Sequence, residues 1–207
     1  SANWTDNVLS WELDSDNTNG AALISGGLGP YTKSPKIYRC PMDNTLSTIQ
    51  KNAGWNARVR SYSMNAMVGD AGTATQSGYN KNNPDYVQFF KEAAIPHPAD
   101  VFVFVEENAN SIDDGYFINR VSDSDEEQPQ AQQWYNLPAS HHDGGGIFSF
   151  ADGHSETHRW QCASTRKPSQ PQSFALPFKL SPNDLQDFNW VLSAMSIERK
   201  SEYYHGN

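Results

Sequence analysis

The chain has 207 residues, enough for one domain with its own core and short for two. Its net charge is -9 with only 15 Lys and Arg, which leaves little for the basic face a nucleic-acid partner requires. No run of about 18 apolar residues is present to span a membrane as a helix, and an aromatic content of 12% argues against disorder.

Residues 1 to 18 are polar, with one helical turn expected around Trp11 and Leu13. No signal peptide is visible among them, since Ser1 starts directly in polar sequence. Ala21, Ala22, Leu23, Ile24 and Leu28 suit a short helix broken by Gly26, Gly27 and Gly29. Ile37 to Arg39 is a short strand candidate, stopped by Cys40-Pro41, and Arg58 to Val68 reads as a second strand. Residues 69 to 85 form a loop by composition. Tyr86 to Ala94 suits one or two helical turns, ended by Pro96 and Pro98. Val101 to Val105, "VFVFV", is a run of β-formers that is apolar on both faces, which predicts a central strand. A turn follows, then a strand over Tyr116 to Val121 and an acidic mobile loop over 122 to 133. Near the C-terminus, Ser181 is placed to cap a helix, Pro182 suits its first position and Asp184 its positive end. Leu185, Phe188, Val191, Leu192 and Met195 share one face, and the spacing predicts a helix over 182 to 197.

The stretch from 141 to 160, "HHDGGGIFSFADGHSETHRW", carries four of the six histidines. Two strand patterns flank Asp152-Gly153, a dipeptide suited to a two-residue type I′ turn. That turn sets Ala151 opposite His154 and Ser149 opposite Glu156. The first strand then separates His142 from Asp152 by roughly 15–20 Å at ~3.3 Å per residue, too far to share one metal. His154, Glu156 and His158 share a face, but the two histidines are about 13 Å apart along the strand. The metalloprotease pattern His-Glu-x-x-His is absent. A polar hairpin is the expectation, and no catalytic residue is assigned.

Glu106, Glu107, Asp113 and Asp114 cluster after the central strand. Such oxygen-rich loops suit calcium, with Asp113 and Asp114 as the candidate ligands, and the alternative is a solvated turn made by Asp114-Gly115. No other cofactor is expected. Asn3-Trp4-Thr5 fits a glycosylation acceptor. Cys40 and Cys162 are either a bridge, in an exported protein, or two free buried thiols. Two rival functions stay open. One is a secreted carbohydrate-binding module using tryptophans such as Trp55 and Trp134, and the other is a metal-dependent hydrolase built on His142 and its neighbours.

Five pieces occur in order: "LGPYTKSPKIYRCPMD" (28–43), "RSYSMNAMVG" (60–69), "IPHPADVFVFVEE" (95–107), "SIDDGYF" (111–117) and "PASHHDGGGIFSFADGHSETHRW" (138–160). Together they resemble the pseudopilin-like proteins that carry a His-x9-Asp-Gly segment, here His142, nine residues, then Asp152-Gly153. The resemblance covers roughly residues 20 to 165. It implies a prepilin leader and a long apolar helix anchored in the inner membrane, followed by an α+β head with a mainly antiparallel sheet. It further implies a non-enzymatic subunit of a type II secretion or type IV pilus-like fibre, in the periplasm or cell envelope, with other pseudopilins and secretion proteins as partners. His142, Asp152 and Gly153 become fold determinants, an anchoring histidine and a turn. This chain lacks the leader junction Gly-Phe-Thr-Leu-Ile-Glu and the apolar helix, so a head alone is expected: one unit over 1 to 207, core about 20 to 165, with a C-terminal extension bearing the helix. The calcium loop of the major pseudopilins has glycines and a second Asp after Asp-Gly, and His154 to His158 supply neither. A periplasmic location favours the Cys40–Cys162 bridge.

Overall fold

The computed structural model describes residues 3–76, 78–120 and 132–200 and has a mixed α+β fold. Helix α1 is Gly20–Ser25, capped by the Asn19 side chain, which accepts from the backbone N–H groups of Ala21 and Ala22. It stops at Gly26 as expected, but Gly29 opens a further turn, α2, Gly29–Thr32. Residues 37 to 39 are not a strand. Pro35–Tyr38 forms a 3-10 turn instead, begun by Pro35 and by the Ser34 hydroxyl accepting from Lys36 N–H.

The segment around Trp11 and Leu13 is likewise not helical. Its carbonyls are already engaged: Ser47 Oγ donates to Trp11 O, and Gln50 Nε2 donates to Ser10 O and Glu12 O. Gln50 lies in α3, Thr48–Asn52, and Ser47 is its N-cap; together they form a capping box.

Strand β1 is Tyr62–Asn65. The following loop contains a two-residue hairpin, β2 Thr75–Gln76 and β3 Tyr79–Asn80. The expected helical turns over 86 to 94 shrink to a 3-10 turn at Glu92–Ala94. Before it the chain is held extended: Phe89 bridges Val68, and Val87 N–H donates to Ile197 O.

The predicted central strand is β4, Phe102–Glu106. Strand β5, Tyr116–Phe117, is shorter than expected because the Asn136 side chain takes Ile118 N–H, ending the ladder. The acidic loop, apart from its last two residues, and Val121 lie outside the described residues. Three more strands precede the C-terminal helix together with one that follows the hairpin: β6 Gln133–Trp134, β7 Gly145–Phe150, β8 Ser155–Arg159 and β9 Phe178–Lys179. The main sheet has the order β5-β1-β4-β7-β8, antiparallel except for β1 beside β5. β6 pairs with β9 in a separate ribbon.

Helix α4, Leu185–Met195, follows a 3-10 turn at Pro182–Asp184. Ser181 does not cap a backbone N–H; its hydroxyl donates to the Asp184 carboxylate at 2.8 Å. Phe188, Val191 and Met195 are fully buried in one cluster with Phe102, Val105, Phe117 and Phe148. The C-terminal helix is therefore part of the principal core rather than an extension outside it. On the other sheet face, Trp4, Leu23 and Tyr38 pack with Phe104, Met64 and Tyr116.

A bulge in β4 sorts these faces. Phe102 pairs with Phe150 and Phe104 with Ser149, so two steps on β4 oppose one on β7. Val103 is the extra residue. Phe102 and Val105 thus face α4, while Phe104 and Glu106 turn to the opposite face.

The hairpin of β7 and β8 forms, but its register is one residue from the expected one. Ser149 pairs with Ser155 and Phe148 with Glu156. Gly153 alone of the Asp-Gly pair has positive φ, 92°, and Gly153 N–H donates to Phe150 O. The loop is therefore Ala151-Asp152-Gly153, the three-residue type with a glycine ending the turn. A turn of the two-residue kind occurs at the other Asp-Gly. Asp143 and Gly144 have φ of 53° and 78°, and His142 and Gly145 exchange both backbone hydrogen bonds.

Candidate metal centre

Three of the ordered sequence pieces each send one side chain to the same point on the face opposite α4. Cys40 sits in a tight turn in which Asp43 N–H donates to Cys40 O and Met42 N–H donates to Cys40 Sγ. Ser61 Oγ donates to the Asp43 carboxylate, which ties this turn to the start of β1. Glu106 ends β4 and lies opposite Tyr62. Its carbonyl accepts from Ala139 N–H at 2.7 Å, drawing the next segment alongside. That segment reaches His142 and the Asp143-Gly144 turn. Gly146 permits the close approach, since a Cβ there would lie 2.7 Å from Ala139 O.

His142 Nε2 lies 3.0 Å from Glu106 Oε2 and 3.5 Å from Cys40 Sγ. All three ligand atoms fall within 4.8 Å of one another, and among the described residues no other such group of His, Cys, Asp or Glu occurs. Glu106 is fully buried, Cys40 nearly so, and the His142 side chain is 27% exposed. Neither carboxylate oxygen of Glu106 receives a hydrogen bond of good geometry from a described residue. Burial pushes the Cys40 thiol up to about 11, and the adjacent Glu106 carboxylate adds to the effect.

This is not the arrangement of a thiol nucleophile. A cysteine–histidine pair works with the thiol on one ring nitrogen and an orienting group on the other. Here sulfur and carboxylate meet the same nitrogen.

The other sequence candidates are placed elsewhere. Asp152 does not meet His142. It accepts from His154 N–H and pairs with His154 Nδ1 at 2.6 Å, and these contacts hold its carboxyl below the usual range. His154 stacks on Phe150, and His158 stacks on Trp190 with ring centres 3.6 Å apart. The bridge between Cys40 and Cys162 is not formed, and both are free buried thiols. Cys162 sits under the Asp187 carboxylate, which accepts its backbone N–H, while Cys40 faces His142.

Among the described residues, Asp113 and Asp114 belong to no group of three close metal-ligand atoms. Their carbonyls accept from the buried Arg60 guanidinium at 3.0 and 2.6 Å, so an internal cation already occupies those oxygens. The Asp114 carboxylate accepts from Tyr116 N–H. Glu107 turns away from Glu106 into the core, accepting from Asn136 Nδ2, and desolvation pushes it up to about 8. Trp134 is fully buried against Phe188, which removes it as an exposed sugar platform. Trp55 is half-buried.

Comparison with protein-family models, with curated proteins and with solved structures finds no match to this chain.

Proposed function

We propose that this chain is the globular head of a non-enzymatic, pilin-like subunit of a type II secretion or type IV pilus-like assembly, acting in the periplasm or cell envelope. The observation that carries this reading is how the five resembling pieces are used. Residues in them serve the fold: Cys40-Pro41 turns the chain, "VFVFVEE" forms the central strand and Asp152-Gly153 closes the hairpin. The mixed α+β architecture with a mainly antiparallel sheet agrees with what a pilin-like head requires. The convergence of sulfur and carboxylate on one imidazole nitrogen speaks for a site that holds rather than one that attacks. The partners in this reading are other subunits of the same fibre. The test is the gene upstream of Ser1. A prepilin leader junction followed by about 20 apolar residues is the expected result. A cleavable secretory signal directly before Ser1, or an unrelated folded domain there, overturns the proposal.

A further inference from the structure

We propose that Cys40, Glu106 and His142 form a binding site for one zinc-class divalent ion. The donor set is the first argument. Thiolate, imidazole and carboxylate together select zinc and its borderline-soft neighbours, whereas calcium wants six to eight oxygens. Charge is the second. A thiolate and a carboxylate balance a divalent cation to neutrality, and Glu106 is a fully buried carboxylate without a good hydrogen-bond donor. The facing His142 ring, 3.0 Å away, is a cation only when protonated, whereas a divalent ion supplies the positive charge directly.

Spacing is the third argument. Tetrahedral zinc with the usual bond lengths puts sulfur about 3.5 Å from nitrogen and nitrogen about 3.4 Å from oxygen. The observed separations are 3.5 and 3.0 Å. Placement is the fourth. The ligands come from three separate rigid supports: a turn tied to β1 through Ser61, the end of the central strand, and a segment held by the Glu106 carbonyl. The Met42 N–H aimed at Cys40 Sγ is the outer contact that steadies a metal-bound thiolate. Loading the ion displaces the Cys40 thiol proton to solvent. Three protein donors leave a fourth position, and His142 is the ligand at the surface, so a water or an outside ligand enters from its side.

The experiment uses the whole chain, stripped with a chelator and titrated with cobalt(II), then zinc(II). The expected result is saturation at one equivalent, with thiolate-to-cobalt charge-transfer absorption and the intense d–d bands of tetrahedral cobalt, all abolished by zinc. Cys40→Ser removes the charge-transfer band, and Cys162→Ser keeps it. Glu106→Gln and His142→Ala weaken zinc binding by more than about 100-fold. His142 is partly exposed, so its variant folds even where a change at Cys40 or Glu106 does not. Absence of a one-equivalent end point, a charge-transfer band that survives Cys40→Ser, or wild-type zinc affinity in His142→Ala overturns the site.

Discussion

Arg60 is a buried cation on which several parts of the fold converge. It is fully buried, and every guanidinium donor is used: Nε on Asn7 Oδ1, Nη1 on Tyr62 O and Ser63 Oγ, and Nη2 on the carbonyls of Asp113 and Asp114. One side chain thus joins the N-terminal segment, β1 and the loop before β5. Arg60→Met keeps the stem and its packing but strands Tyr62 O, Ser63 Oγ and Asp114 O, each at a cost of about 1–3 kcal/mol when buried, while Asn7 Oδ1 and Asp113 O keep Thr5 Oγ1 and Leu9 N–H as donors. Removing the cation returns its desolvation penalty, which shows as a pKa pulled down to about 10 and corresponds to about 3 kcal/mol. The net loss is about 3 kcal/mol, which for a chain of this size lowers the melting temperature by about 6–12 °C. Urea unfolding followed by tryptophan fluorescence measures it. Arg60→Lys restores only part, because a compact ammonium cannot fork to both strands. A variant Arg60→Met within about 1 kcal/mol of wild type refutes the reasoning.

Trp134→Ala removes a fully buried indole packed edge-on to Phe188, and the expected cost is about 3–5 kcal/mol in thermal or urea unfolding; a Trp134→Ala protein of wild-type stability that has lost binding on a glycan array contradicts this placement. His158 is held below its usual pKa, first by burial against Trp190 and Trp160 and despite the nearby Asp187 and Glu156 carboxylates. The folded state therefore binds that proton less readily than the unfolded chain, so its contribution is full above about pH 6.5 and is lost as pH falls. Replacement of His158 by Gln flattens the fall in stability between about pH 7 and 5, and an unchanged slope in the variant shows that another group sets it.

The elements legible in the sequence are those whose own pattern demands cover. "VFVFV" is apolar on both sides, and both faces of β4 are indeed packed, by α4 on one and by Trp4 and Tyr38 on the other. Leu185, Phe188, Val191 and Met195 recur at helical spacing, and the helix forms where they do. Segments without such a pattern were decided by distant partners. Residues 11 to 13 lose their helical turn to Ser47 and Gln50, and residues 86 to 89 are drawn out by contacts near 197 and at Val68. Helix α3 had a readable start, Ser47 and Gln50 at capping-box spacing. Its apolar signal is only Ile49, which stays exposed. The hairpin was legible and its register was not, because two Asp-Gly pairs lie nine residues apart and either suits a type I′ turn. The structure uses the first, at 143, for that turn, and gives the second an extra loop residue.

The candidate metal centre depends on the feature least visible in sequence. Strict alternation puts Phe102, Phe104 and Glu106 on one side of β4. With Phe102 against α4, that rule sends Glu106 into the principal core, away from Cys40. The extra residue at Val103 reverses the sense for everything after it. Glu106 then comes out beside Tyr62 on the face where the Cys40 turn lies. No glycine or proline marks the bulge in "VFVFVEE", so neither composition nor periodicity announces it. The partners gave no local sign either, since Cys40 and His142 are 102 positions apart. His142 drew notice through its spacing to Asp152, a residue it never meets, while its contacts were fixed by a β-bulge in another strand.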